Sequence, residues 1–338
     1  MNPNWRSFLE SAEGVFAADT TDLLNFGDAA GELKSAASGT VVVPLTHLGL
    51  LEVTGEDAKA FLHSQLTNDV NHLQEGKAQH AGWCTAKGRM QASFLMWRSG
   101  ERYMLSLSAD LQESTHKRLQ MFVLRAKVKI SALTDSMVMF GIAGPQAAEV
   151  LADAGLPCPA DSLALIEDNG TAVIRLDDSR FIVTGPDLAM AGLWQKFTVK
   201  ARPAGVPAWR WLDIKAAFPL VTLATKEEFV PQMADFEKIG GVSFHKGCYP
   251  GQEVVARTQY LGKVKRHLYR LTSQTPLAAG NVLHSPDNPD QSCGTVMTAA
   301  ASPAGGYEAL AVVQANFAHN VRVGSLDGPA VQAVAVNP

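Results

Sequence analysis

The sequence predicts an α+β protein that ends in a small all-β unit, and three observations carry that expectation. A short apolar strand, a turn containing glycine and an amphipathic helix follow one another three times before residue 200. Further strand candidates cluster between the helices, which suits helices covering one face of a sheet better than a doubly wound parallel sheet. Beyond Arg257 helical periodicity disappears and short strands alternate with turns, the pattern of a small barrel or sandwich.

Taken in order, residues 1–40 read as a peripheral arm, with Asn4 placed to cap a short helix through Glu10 and a Gly/Ala/Ser-rich lead to Gly39. Residues 41–135 form the first α+β domain. Its opening strand, Leu48–Val53, turns at Thr54 and Gly55 into a helix with Glu56 and Asp57 in the first turn, where acids complement the helix dipole. Ala58, Phe61, Leu62 and Leu66 recur at helical spacing and mark its buried face. Strands follow at His80–Cys84, Gln91–Arg98, Tyr103–Ser108 and Val128–Ala132. A helix from Leu111 to about Ala126, capped by Ser108 or Asp110, buries Leu111, Thr115, Leu119, Phe122, Val123 and Ala126.

Residues 136–262 form the second α+β domain. Strand Met137–Ile142 leads through Gly144 to a helix with Ala147, Val150, Leu151 and Ala154 inside and Gly155 as its stop. Strands Ala172–Leu176 and Phe181–Val183 precede a helix whose inner side is Met190, Leu193, Trp194 and Phe197. Residues 263–338 carry the terminal β unit, with strands at Leu268–Thr272, Asn281–His284, Gly294–Thr298, Tyr307–Val313 and Val331–Val336.

Bulk properties remove several function classes. A length of 338 residues suits two or three compact units, and 46% hydrophobic with 18% charged residues is ordinary for a soluble globular protein. A net charge of −4 gives no global attraction to nucleic acid, so such binding needs a local patch. No stretch approaches the roughly 18–20 apolar residues of a membrane span, and no apolar leader follows the N-terminus, so a cytoplasmic protein without a membrane partner is expected. The four cysteines, Cys84, Cys158, Cys248 and Cys293, are scattered without zinc spacing, which predicts free thiols and no metal site.

The densest chemistry lies between Gly240 and Arg257, in the run G-G-V-S-F-H-K-G-C-Y-P-G-Q-E-V-V-A-R. Glycines 240, 241, 247 and 251 free the backbone for positive φ or close approach. Pro250 is suited to open a helix. Cys248 would then stand just before a helix N-terminus and two residues from Lys246, both of which favour a thiolate that could act as nucleophile, redox thiol or carrier of a transferred group. The plainer reading is a turn with a buried cysteine. Gln252 could meet a polar heterocycle edge, whereas Glu253 and Arg257 form a helical i, i+4 pair of the kind found on solvated faces. Arg257, Lys263, Lys265 and Arg266, with His267, concentrate positive charge that could meet an anionic partner. Asp69, after the first helix, could bind a ligand or end the helix. Trp209 and Trp211 could clamp a ring or fill a core. Walker A, dinucleotide, nucleophile-elbow and H-E-x-x-H motifs are all absent from the sequence.

K-G-C-Y-P-G-Q-E-V-V-A-R, preceded by F-V-P-Q-M and followed by Y-L-G-K-V-K-R, closely resembles the K-G-C-Y-x-G-Q-E motif of the YgfZ family, folate-binding proteins related to the T-protein (aminomethyltransferase) of the glycine cleavage system. The likeness runs from about Leu48, through L-T-N-D-V and G-W-C-T-A-K-G-R-M, into the terminal β unit. It implies a T-protein-like ring of two ferredoxin-like α+β domains and a C-terminal β-barrel around a central folate site. It also implies a factor that uses tetrahydrofolate or another folate to support assembly or repair of iron–sulfur proteins, including radical-type enzymes that thiomethylate tRNA. In that frame Cys248 and Lys246 stand near the reactive end of the folate. Tyr249, Gln252, Glu253, Asp69 and Trp209 stand around it, and Arg257 lies near its glutamate tail. A second tryptophan position of the family falls at Leu48.

The departures from the T-protein are specific. Its G-G-x-x-D-D aspartate has no counterpart in Lys87-Gly88-Arg89-Met90-Gln91-Ala92, and its pterin-binding acid none in Arg180-Phe181-Ile182-Val183. Without a carboxylate there, aminomethyl transfer is not expected, and enzymatic activity stays open. Two other readings stand beside the first: a folate-dependent one-carbon transferase with Cys248 as nucleophile, and a module that binds tRNA through the 257–267 strip.

Overall fold

The computed structural model describes every residue except Asp19, Lys263, Asn337 and Pro338, so Lys263 of the basic run lies outside the described residues. The architecture is mixed α/β with a closed six-stranded barrel at the C-terminal end. Two compact units divide the chain: Met1–Lys59, His72–Gln79 and Leu95–Trp209 form one, and Ala60–Asn71, His80–Phe94 and Arg210–Pro338 the other. Among the described residues, no helix is long and apolar enough to cross a membrane.

In the first unit, a six-stranded sheet runs in the order Leu165–Asp168, Thr171–Arg175, Arg180–Pro186, Met137–Ala143, Val41–Pro44, Arg202–Pro203. Its central strands are continuously buried, as the apolar runs require. Val42 sits opposite Ile142, so the strand Val41–Pro44, which lies in the predicted first domain but is not among its expected strands, belongs to the sheet of the second. Apolar periodicity shows that a strand is buried, but not which sheet it joins.

The predicted peripheral arm is likewise corrected. Residues 1–40 carry helices Pro3–Ser11 and Ala29–Ser38, and Trp5, Leu9 and Leu23 enter the same core as Phe140, Trp194 and Phe197. Asn2, not Asn4, caps the first helix, its side chain accepting from the amides of Asn4 and Trp5. The Glu32 carboxylate, 3% exposed, holds the second helix by accepting from the Phe26 and Gly205 amides at 2.7 and 2.9 Å.

A five-stranded sheet has the order Ala78–Cys84, Met90–Ser99, Arg102–Ser108, Leu48–Thr54, Lys129–Ala132. Gly55 takes φ 116°, and a Cβ there would lie 2.0 Å from the Lys127 carbonyl, so only glycine fits this turn. Glu56 and Asp57 precede the helix instead of opening it: the helix spans Ala58–Gln65, Asp57 accepts from the Lys127 amide, and Glu56 pairs with the Lys127 ammonium. The predicted buried faces otherwise hold, with two exceptions. The helix Ala109–Val123 stops before Ala126 and leaves Phe122 45% exposed at its edge, and Leu193 is only partly buried.

In the second unit, the barrel runs Arg266–Ser273, Tyr307–Gln314, Gly294–Ala301, Val282–His284, Val321–Val323, Ala330–Ala335 around a core of small and branched side chains such as Leu271, Val296, Ala309 and Val313. Strand Val321–Val323 escaped the sequence pattern because three residues are too few to show an alternation. Glu308, on the barrel, accepts from Trp211 Nε1 at 2.9 Å and pairs with Lys215 at 3.1 Å.

Candidate functional site

The Gly240–Arg257 segment belongs to the second unit, and its glycines have distinct physical reasons. Gly240 and Gly251 take φ of 74° and 84°. A Cβ on Gly241 would fall 2.2 Å from the Phe236 ring, so this glycine lets backbone meet aromatic. Its carbonyl accepts from the Thr67 hydroxyl at 2.6 Å, while the Asn68 amide donates to the carbonyls of Gly240 and His80, each at 2.7 Å. The T-N-D segment after the first helix thus anchors the start of the loop.

Pro250 does not open the helix. The Gln252 amide donates to the Tyr249 carbonyl at 3.1 Å, and Gly251, with φ 84° and ψ 0°, completes a Pro-Gly turn of type II geometry. The helix spans Gln252–Tyr260 with Gly251 as N-cap, and Cys248 stands three residues before that cap. A Cβ on Gly251 would lie 2.4 Å from the Thr85 carbonyl, so the turn closes directly on the 85–88 turn.

Lys246 is 7% exposed, and its ammonium donates to the carbonyls of His63 and Leu66. These are carbonyls left without partners at the end of helix Ala58–Gln65, so the lysine caps that helix. The ammonium also lies 4.6 Å from the centre of the Tyr249 ring. Burial pulls its pKa down to about 8, against the opposing pull of Asp69 and Cys248. Lys246 is therefore more than a free cation beside a thiol, because its hydrogen bonds tie the loop to a helix end.

Tyr249 is buried, and burial pushes its phenol well above the usual range, so it remains protonated. Cys248 is exposed, as is Cys158, whereas Cys84 and Cys293 are buried and burial pushes Cys84 up to about 12. Asp69 stands 3.3 Å from His63 Nδ1 and accepts from the Asn71 amide at 2.8 Å. A Cβ on Gly247 would lie 3.6 Å from His63 Nε2, which places the imidazole edge beside the residue preceding Cys248. Sequence reasoning missed His63: its only signal is a histidine on the polar side of an amphipathic helix.

The structure thus gathers Cys248, Lys246, Tyr249 and Asp69, with Gln252, Glu253 and Arg257 on the helix that follows. Glu253 and Arg257 are both exposed and, among the described residues, form no ion pair with each other. Trp209 and Leu48 belong to the first unit. Trp209 is 1% exposed, packed on Gly141, with the Arg180 guanidinium 5.7 Å from its ring centre; Leu48 is half-buried at the start of its strand.

A cleft of about 700 Å³ lies within the second unit. Lys87 and Arg89 from the turn between two strands, Arg257 from the helix, and Lys265 and Arg266 from the lead into the barrel all line it. Val230, Met233 and Val254 supply apolar wall, and among the described residues no carboxylate lines it.

Comparison with known proteins adds three findings. A profile described as the GCVT N-terminal domain matches residues 25–163. The tRNA-modifying protein YgfZ of Escherichia coli O17:K52:H18 is 30% identical over 240 residues, covering 70% of this chain and 73% of that protein. The tRNA-modifying protein YgfZ of Colwellia psychrerythraea is 32% identical over 238 residues, covering 70% and 72%. Among solved structures, glycine cleavage system aminomethyltransferase T from Bartonella henselae superposes with a TM-score of 0.82 at 21% identity, over 100% of this chain and 97% of that one, which is a likeness of fold.

Proposed function

Because this chain belongs to the YgfZ family, to which it is linked by relatives 30% and 32% identical, we propose that it is a folate-binding factor serving tRNA modification through the assembly or repair of iron–sulfur enzymes. The relatives are named as tRNA-modifying proteins, and the fold is shared with an aminomethyltransferase. The observation that carries the reading is the exposed Cys248 thiol on a loop fixed by Lys246, Tyr249 and the Pro-Gly turn. Four free cysteines suit the reducing cytoplasm.

The residues present fit a folate in part. Asp69 and Gln252, neither fully buried, carry the acceptor and donor groups that a pterin edge requires. When bound, a reduced folate supplies one-carbon chemistry. Lys246 then holds the loop, Asp69 keeps the His63 ring oriented beside Gly247, and Cys248 presents its sulfur to the protein being served. Aminomethyl transfer is not part of this reading, since Gln91, 2% exposed, stands in a segment without a carboxylate.

The test compares Cys248→Ala with Cys158→Ala in cells lacking the native protein, reading thiomethylated tRNA nucleosides by mass spectrometry. Loss with the first and retention with the second is expected. Full retention with Cys248→Ala sinks the role of that thiol. Calorimetric titration with tetrahydrofolate, on wild type and Gln252→Ala, tests the ligand separately.

A further inference from the structure

We propose that the cationic cleft of the second unit binds a single strand of RNA by its phosphates, with Tyr260, one residue before the cleft-lining Leu261, to stack an unpaired base. This deepens the tRNA-modification reading by making RNA a direct ligand of the chain, and it does not depend on folate.

The charge distribution comes first. The chain has 33 acidic against 29 basic side chains, so an average patch is slightly negative, yet five cations and no carboxylate among the described residues line this cleft. They come from three separate stretches of chain. Elsewhere in the unit Lys215 is paired with Glu308 and Lys238 with Asp235, while Arg270 and Arg322 donate to backbone carbonyls. Lys87, Arg257 and Lys265 are exposed and have no ion pair among the described residues. Cations left unpaired around a concave surface focus a field that attracts a polyanion.

The cleft is also built. The Arg89 guanidinium donates to the Glu228 carbonyl and that of Arg266 to the Ser292 carbonyl at 3.4 Å, which fixes two of the charges. The Lys265 carbonyl accepts from the Ala315 amide at 2.9 Å, which fixes the backbone under a third. Gly88 takes φ 72° and packs on Val254, holding the Lys87–Arg89 turn against the helix.

What separates an RNA strand from a small polycarboxylate such as a folate tail is the exposed end of the helix that lines the cleft through Arg257, Thr258 and Leu261. The helix that carries Arg257 ends in Tyr260, 64% exposed, and Leu261, 84% exposed. The Tyr260 ring is held edge-on to Phe244 with centres 6.1 Å apart. A fixed, exposed aromatic next to a positive groove is how single strands are held without sequence readout. A duplex would leave no base free to stack.

The test measures fluorescence anisotropy of a labelled unstructured 12-nucleotide RNA against the full chain, from 50 to 200 mM salt. Five contacted phosphates at about 0.7 ions each give a log–log slope near −3.5, or about a hundredfold loss of affinity over that range. Lys87→Ala/Lys265→Ala should lower the slope magnitude to about 2 and weaken binding at least tenfold at 50 mM salt. The equal-charge control Lys34→Ala/Lys129→Ala should bind as wild type does. Tyr260→Ala should weaken binding about tenfold with the slope unchanged. Equal behaviour of the two double variants, or no binding by wild type at 50 mM salt, overturns the proposal. So does a cleft whose double variant loses calorimetric heat with a tri-glutamyl folate while RNA affinity is unmoved. Tetrahydrofolate titrated into wild type that fails to bind RNA separates this failure from failure of the folate reading.

Discussion

Lys246→Met tests whether the cysteine loop is held by its lysine. Methionine fills a similar volume and adapts to irregular packing, so the change removes chiefly the ammonium. Two charge-assisted hydrogen bonds, to the His63 and Leu66 carbonyls, disappear, together with the contact on the Tyr249 ring. Bonds to a charged group contribute about 1.5–3 kcal/mol each, and the variant no longer buries a cation, so a net loss of about 2–4 kcal/mol is expected at pH 7. Urea unfolding followed by tryptophan fluorescence measures it. Titration provides a second, signed check. Burial lowers the folded pKa from 10.5 to about 8, so between those values the unfolded chain binds more protons than the folded one. Stability contributed by this site therefore rises with pH through that window, and the gap between wild type and variant should widen from about pH 8 to 10. A gap below about 1 kcal/mol at pH 7 would refute the capping role, and one that narrows above pH 8 would refute the burial-lowered pKa.

Three further outcomes follow from the same geometry. Gly251→Ala forces a Cβ onto the Thr85 carbonyl at 2.4 Å with φ 84°, so a loss of about 3 kcal/mol or more is expected in the same unfolding assay. Mass spectrometry of the native protein after brief iodoacetamide treatment should show Cys248 and Cys158 modified and Cys84 and Cys293 protected, since the latter two are buried and Cys84 is pushed up to about 12. Glu308 is lowered below its ordinary 4.5: burial opposes this, but its bonds with Trp211, Ser302 and Lys215 outweigh burial. Its contribution is therefore present above about pH 4.5 and lost as pH falls below it, and Glu308→Gln should flatten the acid limb of the stability profile.

What was legible in the sequence was local. Ala147, Val150, Leu151 and Ala154 lie 0–4% exposed because a 3.6-residue period leaves no other face to bury. Gly155, at φ 81°, stops that helix as expected. Non-local partnership was not legible. Val41–Pro44, which falls in the predicted first domain without a strand expected there, pairs with Met137–Ala143 of the other sheet, and Trp5 and Leu9 look like a loose arm until Phe140 and Phe197 supply the rest of their core. The cationic cleft shows the same limit. The Arg257–Arg266 run was visible, but Lys87 and Arg89 lie far away in sequence and join it only because the 85–88 turn folds onto Gly251.

That last contact decides how the site should be understood. The sequence places the glycines around Cys248 for positive φ or close approach, and the structure uses them so: Gly251 takes φ 84° against the Thr85 carbonyl, Gly241 is pressed on Phe236, and Lys246 is bonded into a helix end. A thiol on so constrained a segment is positioned by the scaffold and not by a flexible loop. The same Gly251 turn sets the direction of the helix that carries Arg257 and Tyr260. Cys248 and the cleft are therefore coupled through one short stretch of backbone. Anything that displaces the Pro-Gly turn should disturb both the thiol's reactivity and the cleft's affinity, whereas Lys87→Ala or Lys265→Ala should affect the cleft alone.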